Sequence, residues 1–201
     1  MTPPRSVRAG ILAAVLAGAC LLGADFSRPD SASFALGKTS EQEIRQRFSE
    51  PDSQATALVG DKVVTILRYA HAEARTTVVL ARAMAYTFHE GRLVGFDYSS
   101  SFAIDQTVFD ESAVKRIKRG EATRAEVTAL VGKPTGQFIY PSPYATTPGR
   151  RVDVYSYSRT ESAPATGTLE TANKVLAITF DDRDVVVETS LVLASTSKAL
   201  K

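Results

Sequence analysis

The chain of 201 residues has no tryptophan, two histidines and a single cysteine. One cysteine cannot form an internal disulfide, so packed side chains alone must stabilise the fold. The two histidines, His71 and His89, stand in segments that are typical of polar turns, and no further ligand lies at a spacing typical of a zinc site. The sequence therefore predicts no metal, no cofactor and no enzymatic activity.

An excess of charge of one sign is also missing. The chain has 24 basic and 22 acidic residues, and Arg5 and Arg8 are the only charged residues before Cys20. Beyond that segment the basic and acidic residues are equal in number. A protein that binds nucleic acid through its phosphates needs a basic surface, and this composition predicts none.

The N-terminal segment carries the clearest targeting signal. Two arginines are followed by residues 9–24, a run of 16 residues without charge that is rich in alanine and leucine. A membrane-spanning helix needs roughly 20 such residues, so this run is typical of a signal peptide instead. It contains Leu16-Ala17-Gly18-Ala19-Cys20, which resembles the bacterial lipobox, although the leucine lies four rather than three residues before the cysteine. Cleavage by the ordinary signal peptidase after Ala19 is the alternative, because Ala17-Gly18-Ala19 also matches an A-x-A site.

The resemblance to the lipobox implies that Cys20 becomes the acylated first residue of the mature protein. We therefore expect a signal peptide at residues 1–19 and a lipidated tether at residues 20–33. The residue after the cysteine is Leu21 and not aspartate, which resembles the default sorting of lipoproteins to the outer membrane. The expected location is the periplasmic face of the outer membrane, and the alternative is a soluble periplasmic or secreted protein.

An internal repeat organises the rest of the chain. Residues 34–51 and 117–134 share a glycine, a capping box of the form S/T-x-x-E, an apolar helical stripe and a terminal proline. The capping boxes are Ser40 with Glu43 and Thr123 with Glu126, and both should begin a short helix. The shared positions, first copy before second, are Gly37 and Gly120, Ser40 and Thr123, Glu43 and Glu126, Ile44 and Val127, Phe48 and Val131, Pro51 and Pro134.

After each proline the apolar period changes to two, which is typical of strands. The pattern predicts strands at residues 56–59, 63–69, 77–88 and 93–99 in the first copy, and at 137–140, 152–157, 175–180 and 185–193 in the second. A helix is expected at 108–118, and loops at 140–150 and 158–173. The predicted fold class is α+β, with two tandem repeats at 34–107 and 108–195. Each repeat is a short helix pair packed on an antiparallel four-stranded sheet, and residues 196–201 form a tail.

The pattern G-x-[TA]-[ST]-x-x-E-[IV], then an apolar helix, a proline and a strand with aromatic-x-Tyr, resembles the SmpA/OmlA (BamE-like) lipoprotein family. In the second copy this pattern spans Gly120 to Pro134 and Tyr155-Ser156-Tyr157. As a tandem pair it also resembles the fold of the β-lactamase inhibitory proteins. These resemblances imply a non-catalytic protein-binding module of the cell envelope, in outer-membrane assembly or maintenance. The alternative is a proteinaceous inhibitor of a periplasmic or secreted hydrolase.

Tyrosines are the candidate partner-binding residues, because their large rigid rings often dominate interfaces. Tyr140 and Tyr144 flank two prolines in the predicted loop, and either ring could instead fold back on the sheet. Tyr155 and Tyr157 share one face of a strand, and Tyr69 corresponds to them in the first copy. These three line an open sheet face if the valines of that strand enter the core; otherwise they are core residues themselves. The expected partner is an envelope protein, and the lipid anchor provides the contact with the membrane.

Overall fold

A computed structural model describes residues 28, 30, 33–74, 79–105, 108–163 and 168–199. The predicted signal peptide, Cys20, most of the predicted tether and residues 200–201 lie outside these residues. The helices are α1 (Glu41–Phe48), α2 (Glu111–Val114) and α3 (Arg124–Val131), with a 3-10 helix at Ala103–Asp105. The strands are β1 (Ser53–Val59), β2 (Lys62–Ala74), β3 (Val79–His89), β4 (Arg92–Ser100), β5 (Gly136–Ile139), β6 (Arg151–Ala163), β7 (Thr168–Phe180) and β8 (Val186–Ala199).

The eight strands form one antiparallel sheet in the order in which they occur along the chain. The predicted fold class, two tandem repeats each with its own four-stranded sheet and helix pair, is therefore wrong. β4 and β5 pair with each other and join all strands into one layer. The described part of the first half also has a single α-helix, α1, where a pair was expected. The pattern located the strands but could not show that β4 and β5 meet.

The two longer helices begin as their sequences predict. Ser40 accepts a hydrogen bond from the N–H of Glu43, and the Glu43 carboxylate accepts one from the N–H of Ser40. Thr123 and Glu126 form the same reciprocal pair at the start of α3. Each box satisfies N–H groups that the first helical turn leaves without an intrahelical partner. The predicted helix at 108–118 is much shorter, because α2 covers only Glu111–Val114.

All three α-helices pack on one face of the sheet, here called the helix face. Ile44 and Phe48 of α1 meet buried side chains of β2, β3 and β4, with Tyr86 among them. Val127 and Val131 of α3, together with α2, cover a second cluster on β6, β7 and β8 that includes Tyr155. The sheet thus carries two separate hydrophobic cores side by side, which we call core 1 and core 2. A continuous backbone ladder links them, with no shared buried cluster among the residues described.

The junction between the cores is narrow. β5 has four residues, and its ladder with β4 pairs Gly95–Asp97 with Gly136–Phe138. The Phe138 ring lies directly over Gly95, where a Cβ atom would sit 2.0 Å from the ring. A Cβ atom on Gly136 would sit 2.7 Å from Oδ1 of Asp97 and 2.8 Å from the Phe96 carbonyl oxygen. Glycine at both positions therefore allows the two halves of the sheet to approach.

Residues 158–173, which the sequence predicts as a loop, are largely strand. β6 continues to Ala163 and β7 begins at Thr168, and the two pair throughout. Likewise His71, expected in a turn, lies within β2. The sequences of these strand ends, in β2, β6 and β7, do not alternate between apolar and polar residues as a half-buried strand does. They are strands because their backbones pair with the neighbouring strand, which the apolar pattern of the sequence does not reveal. No helix among the described residues is long and apolar enough to cross a membrane.

Candidate functional site

The face of the sheet opposite the helices, here called the free face, carries a small apolar cluster. Phe138, Val152 and Val154 are buried there, and Ala145 from the following loop packs against them. In the part of the chain that the structure describes, no helix covers this face. The free face is therefore a surface on which a partner could pack against the sheet.

The loop from Tyr140 to Arg150 folds over this cluster. The N–H of Ser142 donates to the Ala145 carbonyl, and the N–H of Ala145 donates to the Ser142 hydroxyl, so the tip of the loop is a closed turn. The Tyr144 ring packs on Phe138 with a centroid distance of 4.5 Å, yet 45% of Tyr144 is exposed. The ring thus folds back on the sheet, which was one of the two alternatives, and still exposes a face to solvent; its role in partner binding stays a prediction.

Asp97 lies on the free face beside this aromatic pair. Its Oδ1 atom is buried and has no hydrogen-bond partner among the described residues. Burial raises the pKa of Asp97 to about 7, although a hydrogen bond from the N–H of Tyr98 opposes the shift. Burial, together with the charge of Asp97, raises the pKa of Tyr144 to about 12, so the Tyr144 hydroxyl stays protonated. The site combines an exposed ring, a hydroxyl donor and a carboxylate oxygen that can still accept a hydrogen bond.

The other predicted tyrosines lie elsewhere. Tyr155 is fully buried in core 2, Tyr157 packs partly buried against that core, and Tyr69 is buried in core 1. Val152 and Val154, the valines on the opposite side of the same strand, are the ones that reach the free face. Of the two alternatives that the sequence left open, the one with these tyrosines in the core is correct. The prediction that Tyr69, Tyr155 and Tyr157 line an open sheet face is wrong. Tyr140, partly buried, lies at the start of the loop.

A polar cluster on the helix face fastens the 3-10 helix to the sheet. Asp105 receives hydrogen bonds from Arg82, at 2.6 Å, and from the Ser100 hydroxyl, at 2.8 Å. Burial raises the pKa of Asp105, but the hydrogen bonds from Arg82, Ser100 and Tyr98 outweigh burial and hold the pKa below its usual value. The Arg82 guanidinium also lies 4.2 Å from the centre of the Phe102 ring. These groups satisfy one another, which is typical of a structural cluster.

A cavity of about 300 Å³ lies close by, between core 1 and the start of β5. Its lining includes the apolar side chains of Met84, Phe96 and Pro134 together with Arg28. Arg28 donates to the carbonyl oxygens of Lys133 and Pro134, at 3.2 and 2.6 Å. Burial lowers the pKa of Arg28, while the charges of Tyr98 and Asp105 oppose the shift. This part of the predicted tether therefore packs against the chain segment that enters β5.

The other residues considered for chemistry are dispersed. His71 stacks on Phe102, with ring centroids 6.4 Å apart, whereas Nδ1 of His89 lies 3.0 Å from the Val63 carbonyl oxygen near the opposite end of the strand pair. The acidic run at 181–184 is a turn, in which Asp181 accepts hydrogen bonds from the N–H groups of Arg183 and Val185. Across the described residues, no three His, Cys, Asp or Glu side chains are close enough to hold a metal ion.

Sequence reasoning identified Tyr144 and missed Asp97 and Phe138. A charged residue between two aromatics of a strand, Phe96-Asp97-Tyr98, indicates only that it faces away from the core that they enter. The burial of Asp97 Oδ1 depends on contact with Gly136, which lies about 40 residues further along the chain. It also depends on the loop at 140–150, whose path the sequence does not predict. The glycines at 95 and 136 were the available signal, because glycine inside a strand often marks a close approach.

Comparisons with known proteins leave the family open. No protein-family model and no curated protein matches the sequence, so the resemblance to the SmpA/OmlA family is not confirmed. Among solved structures, the chain is similar to the crystal structure of a "putative beta-lactamase inhibitor protein" from Streptococcus mutans. The identity is 12%, the TM-score is 0.44, and the match covers 77% of this chain and 82% of the other. A likeness this distant carries no argument about function.

Proposed function

We propose that this chain is an exported lipoprotein of the cell envelope that binds another protein without catalysing a reaction. The observation that carries the proposal is the site on the free face formed by Tyr144, Phe138 and Asp97. Tyr144 rests on a buried ring while nearly half of it is exposed. Aromatic residues supported in this way are typical of the few positions that dominate the binding energy of an interface.

The chemistry of this site suggests what the partner presents. An apolar side chain would cover the Tyr144 ring, and a lysine or arginine would supply donors to the half-buried carboxylate of Asp97. A charge-assisted hydrogen bond in a partly desolvated site is stronger than one between neutral groups. The proposed partner is thus an envelope protein with a basic residue next to an apolar one on its contact surface.

The first experiment identifies and tests this partner. A photoreactive phenylalanine analogue at position 144 should capture one envelope protein, whereas the same analogue at position 58 should not. Leu58 is the control because it is 73% exposed on β1, at the far edge of the sheet. With the captured protein purified, Tyr144→Ala should lower its affinity by roughly thirtyfold, which corresponds to about 2 kcal/mol for a dominant contact.

Two further results decide between this proposal and its rivals. Asp97→Asn should also weaken binding, and Leu58→Ala should leave it unchanged. If Tyr144→Ala binds as tightly as the unaltered chain, the proposed site is wrong. If the captured protein is a hydrolase that loses activity on binding, the role is that of an inhibitor, the alternative that the tandem pattern suggested.

The anchor is tested separately. We expect Cys20 to be acylated, because it is the only cysteine and follows a signal-like segment. Cys20→Ser should therefore move the protein from the membrane fraction to the soluble fraction, with loss of the acyl mass from the mature N-terminus. An unaltered chain that already fractionates as soluble would contradict the anchor but would leave the binding site untouched.

A further inference from the structure

The last strand, β8, forms one edge of the sheet and pairs with β7 on one side only. It is 14 residues long, twice the length of β1 at the other edge. Backbone groups of Gly120 and Ala122 hydrogen-bond to Val186 at its first residue. From Glu188 onward, no other strand of the described chain lies along its outer side. Such an edge presents a row of backbone donors and acceptors to any further strand.

This edge has few of the features that normally prevent pairing. Natural edge strands are protected by proline, by charged residues or by bulges. Between Glu188 and Lys198 the strand has no proline and no charged residue, and the irregularity in its pairing with β7 lies near its start. At its centre, Val192 and Leu193 are 37% and 53% exposed, on opposite faces of the sheet. The edge is thus apolar in the middle and charged towards its two ends.

We propose that β8 pairs antiparallel with β8 of a second copy of this chain, about a two-fold axis at Leu193. In an antiparallel pair, residues directly opposite each other point to the same face and interact. Glu188 and Lys198 lie equally far from Leu193 along the strand. This register therefore places Glu188 of each copy opposite Lys198 of the other, and the exposed Leu193 side chains meet at the centre.

The charges favour a second copy over other occupants of the edge. Pairing about Leu193 forms two ion pairs, each between Glu188 of one copy and Lys198 of the other. A shift of the register would lose both ion pairs. β1, the other edge of the sheet, has no charged residue and offers nothing to match Glu188 and Lys198. Pairing of β8 with β1 of the next copy would be head-to-tail and would generate open chains, whereas the two-fold arrangement closes as a dimer.

Disulfide trapping tests the register in the full chain in detergent. Leu193→Cys should form a crosslinked dimer on mild oxidation, because the two positions face each other across the axis. Glu188→Cys is the control, since its two copies would lie about 34 Å apart along the strands. The unaltered chain, with Cys20 alone, gives the background. Equal crosslinking of both variants, or none above background, would overturn the proposal.

Charge exchange tests the pairing by sedimentation. Glu188→Lys and Lys198→Glu should each weaken dimerisation by about tenfold, because each turns two attractive pairs into repulsive ones. The double exchange should restore it, while circular dichroism checks that every variant is folded. An unaltered chain that stays monomeric up to millimolar concentration, species larger than dimers, or a double exchange without rescue would each overturn the inference.

Discussion

Asp153, which is buried, and Asp97, which is half-buried, illustrate how neighbouring side chains decide the role of a carboxylate. Asp153 on the helix face is fully buried and receives two hydrogen bonds from Arg124, at 2.7 and 3.1 Å. Within the described ranges, Asp97 on the free face has no cation beside it, and its Oδ1 atom has no hydrogen-bond partner. A buried charge without a partner is unfavourable for folding. We infer that Asp97 is retained for binding at some expense of stability, as functional residues often are.

We expect Asp97→Asn to stabilise the protein at alkaline pH. Because the folded chain holds the pKa of Asp97 at about 7, above the ordinary value of 3.8, the folded state binds the proton more tightly than the unfolded state does. The stability contributed by protonated Asp97 is complete below pH 4 and is lost as the pH rises to 7. Urea denaturation should show the unaltered chain losing on the order of 1 to 4 kcal/mol relative to Asp97→Asn between pH 4 and pH 8. Identical pH profiles would contradict the buried state of this carboxyl group.

Helix α3 is held to the sheet by more than its apolar stripe. Val127 and Val131 supply the packing, and Arg124 in the first turn reaches Asp153 on β6. Burial lowers the pKa of Arg124, but the hydrogen bonds and the charge of Asp153 outweigh burial and raise it, so the guanidinium stays charged. Helix α1 instead uses Arg45, which forms an ion pair with Glu41 along the helix and donates a hydrogen bond to the Gln54 side chain of β1. The two helices thus begin with the same cap and attach differently.

Arg124→Ala should lower the free energy of unfolding by about 3 to 5 kcal/mol, because it leaves the Asp153 carboxylate buried and unpaired. Lys118→Ala is the matched control, since Lys118 and Glu121 form an exposed ion pair that should contribute less than about 1 kcal/mol. Replacing Arg124 and Asp153 together should cost less than the two single changes added. Chemical denaturation of the four variants checks these values. A loss for Arg124→Ala no larger than that for Lys118→Ala would show that the buried pair does not hold α3.

Local elements could be predicted from the sequence, and their association could not. Each of the eight strands overlaps a predicted one, although β2, β6, β7 and β8 are several residues longer than predicted, and the capping boxes start α1 and α3. The path across Gly95 and Gly136 depends on contacts between distant segments, which a periodic pattern does not contain. The site is divided in the same way. Tyr144 was proposed as a candidate because it lies in a proline-containing loop. The sequence could not show which face of the sheet Tyr155 occupies, because both faces of its strand carry apolar residues.

At the scale of the whole molecule, two cores share one sheet through a narrow junction. The ladder between β4 and β5 spans three residue pairs and the ladder between β5 and β6 spans four, whereas the β3–β4 and β6–β7 ladders are much longer. Phe138 over Gly95 on the free face, and Arg28 bound to the carbonyls of Lys133 and Pro134 on the helix face, reinforce it. We expect these contacts to make the two halves unfold as one unit, although each half has its own hydrophobic core.

Gly136→Ala should weaken this coupling. The new methyl group would meet a backbone oxygen and Oδ1 of Asp97, so the strands must move apart, at a cost of about 1 to 3 kcal/mol. Urea unfolding followed by NMR at Tyr86 in core 1 and Tyr155 in core 2 should give coincident transitions for the unaltered chain and separated ones for Gly136→Ala. Gln137→Ala, at the next position of β5, places no methyl group at this contact and should keep the transitions coincident. A single unchanged transition in Gly136→Ala would contradict the role of the junction.

Strand order has a consequence for how the chain reaches its folded state. Every strand of the sheet pairs only with the strands that precede and follow it in the sequence. A polypeptide that emerges N-terminus first from a narrow channel can therefore add its strands in order, and β5 alone must wait for the 35 residues that separate it from β4. Local pairing of this kind lowers the entropy lost in closing each loop and favours rapid folding. The last strand to be added is β8, so its outer edge is complete only when the rest of the sheet has formed.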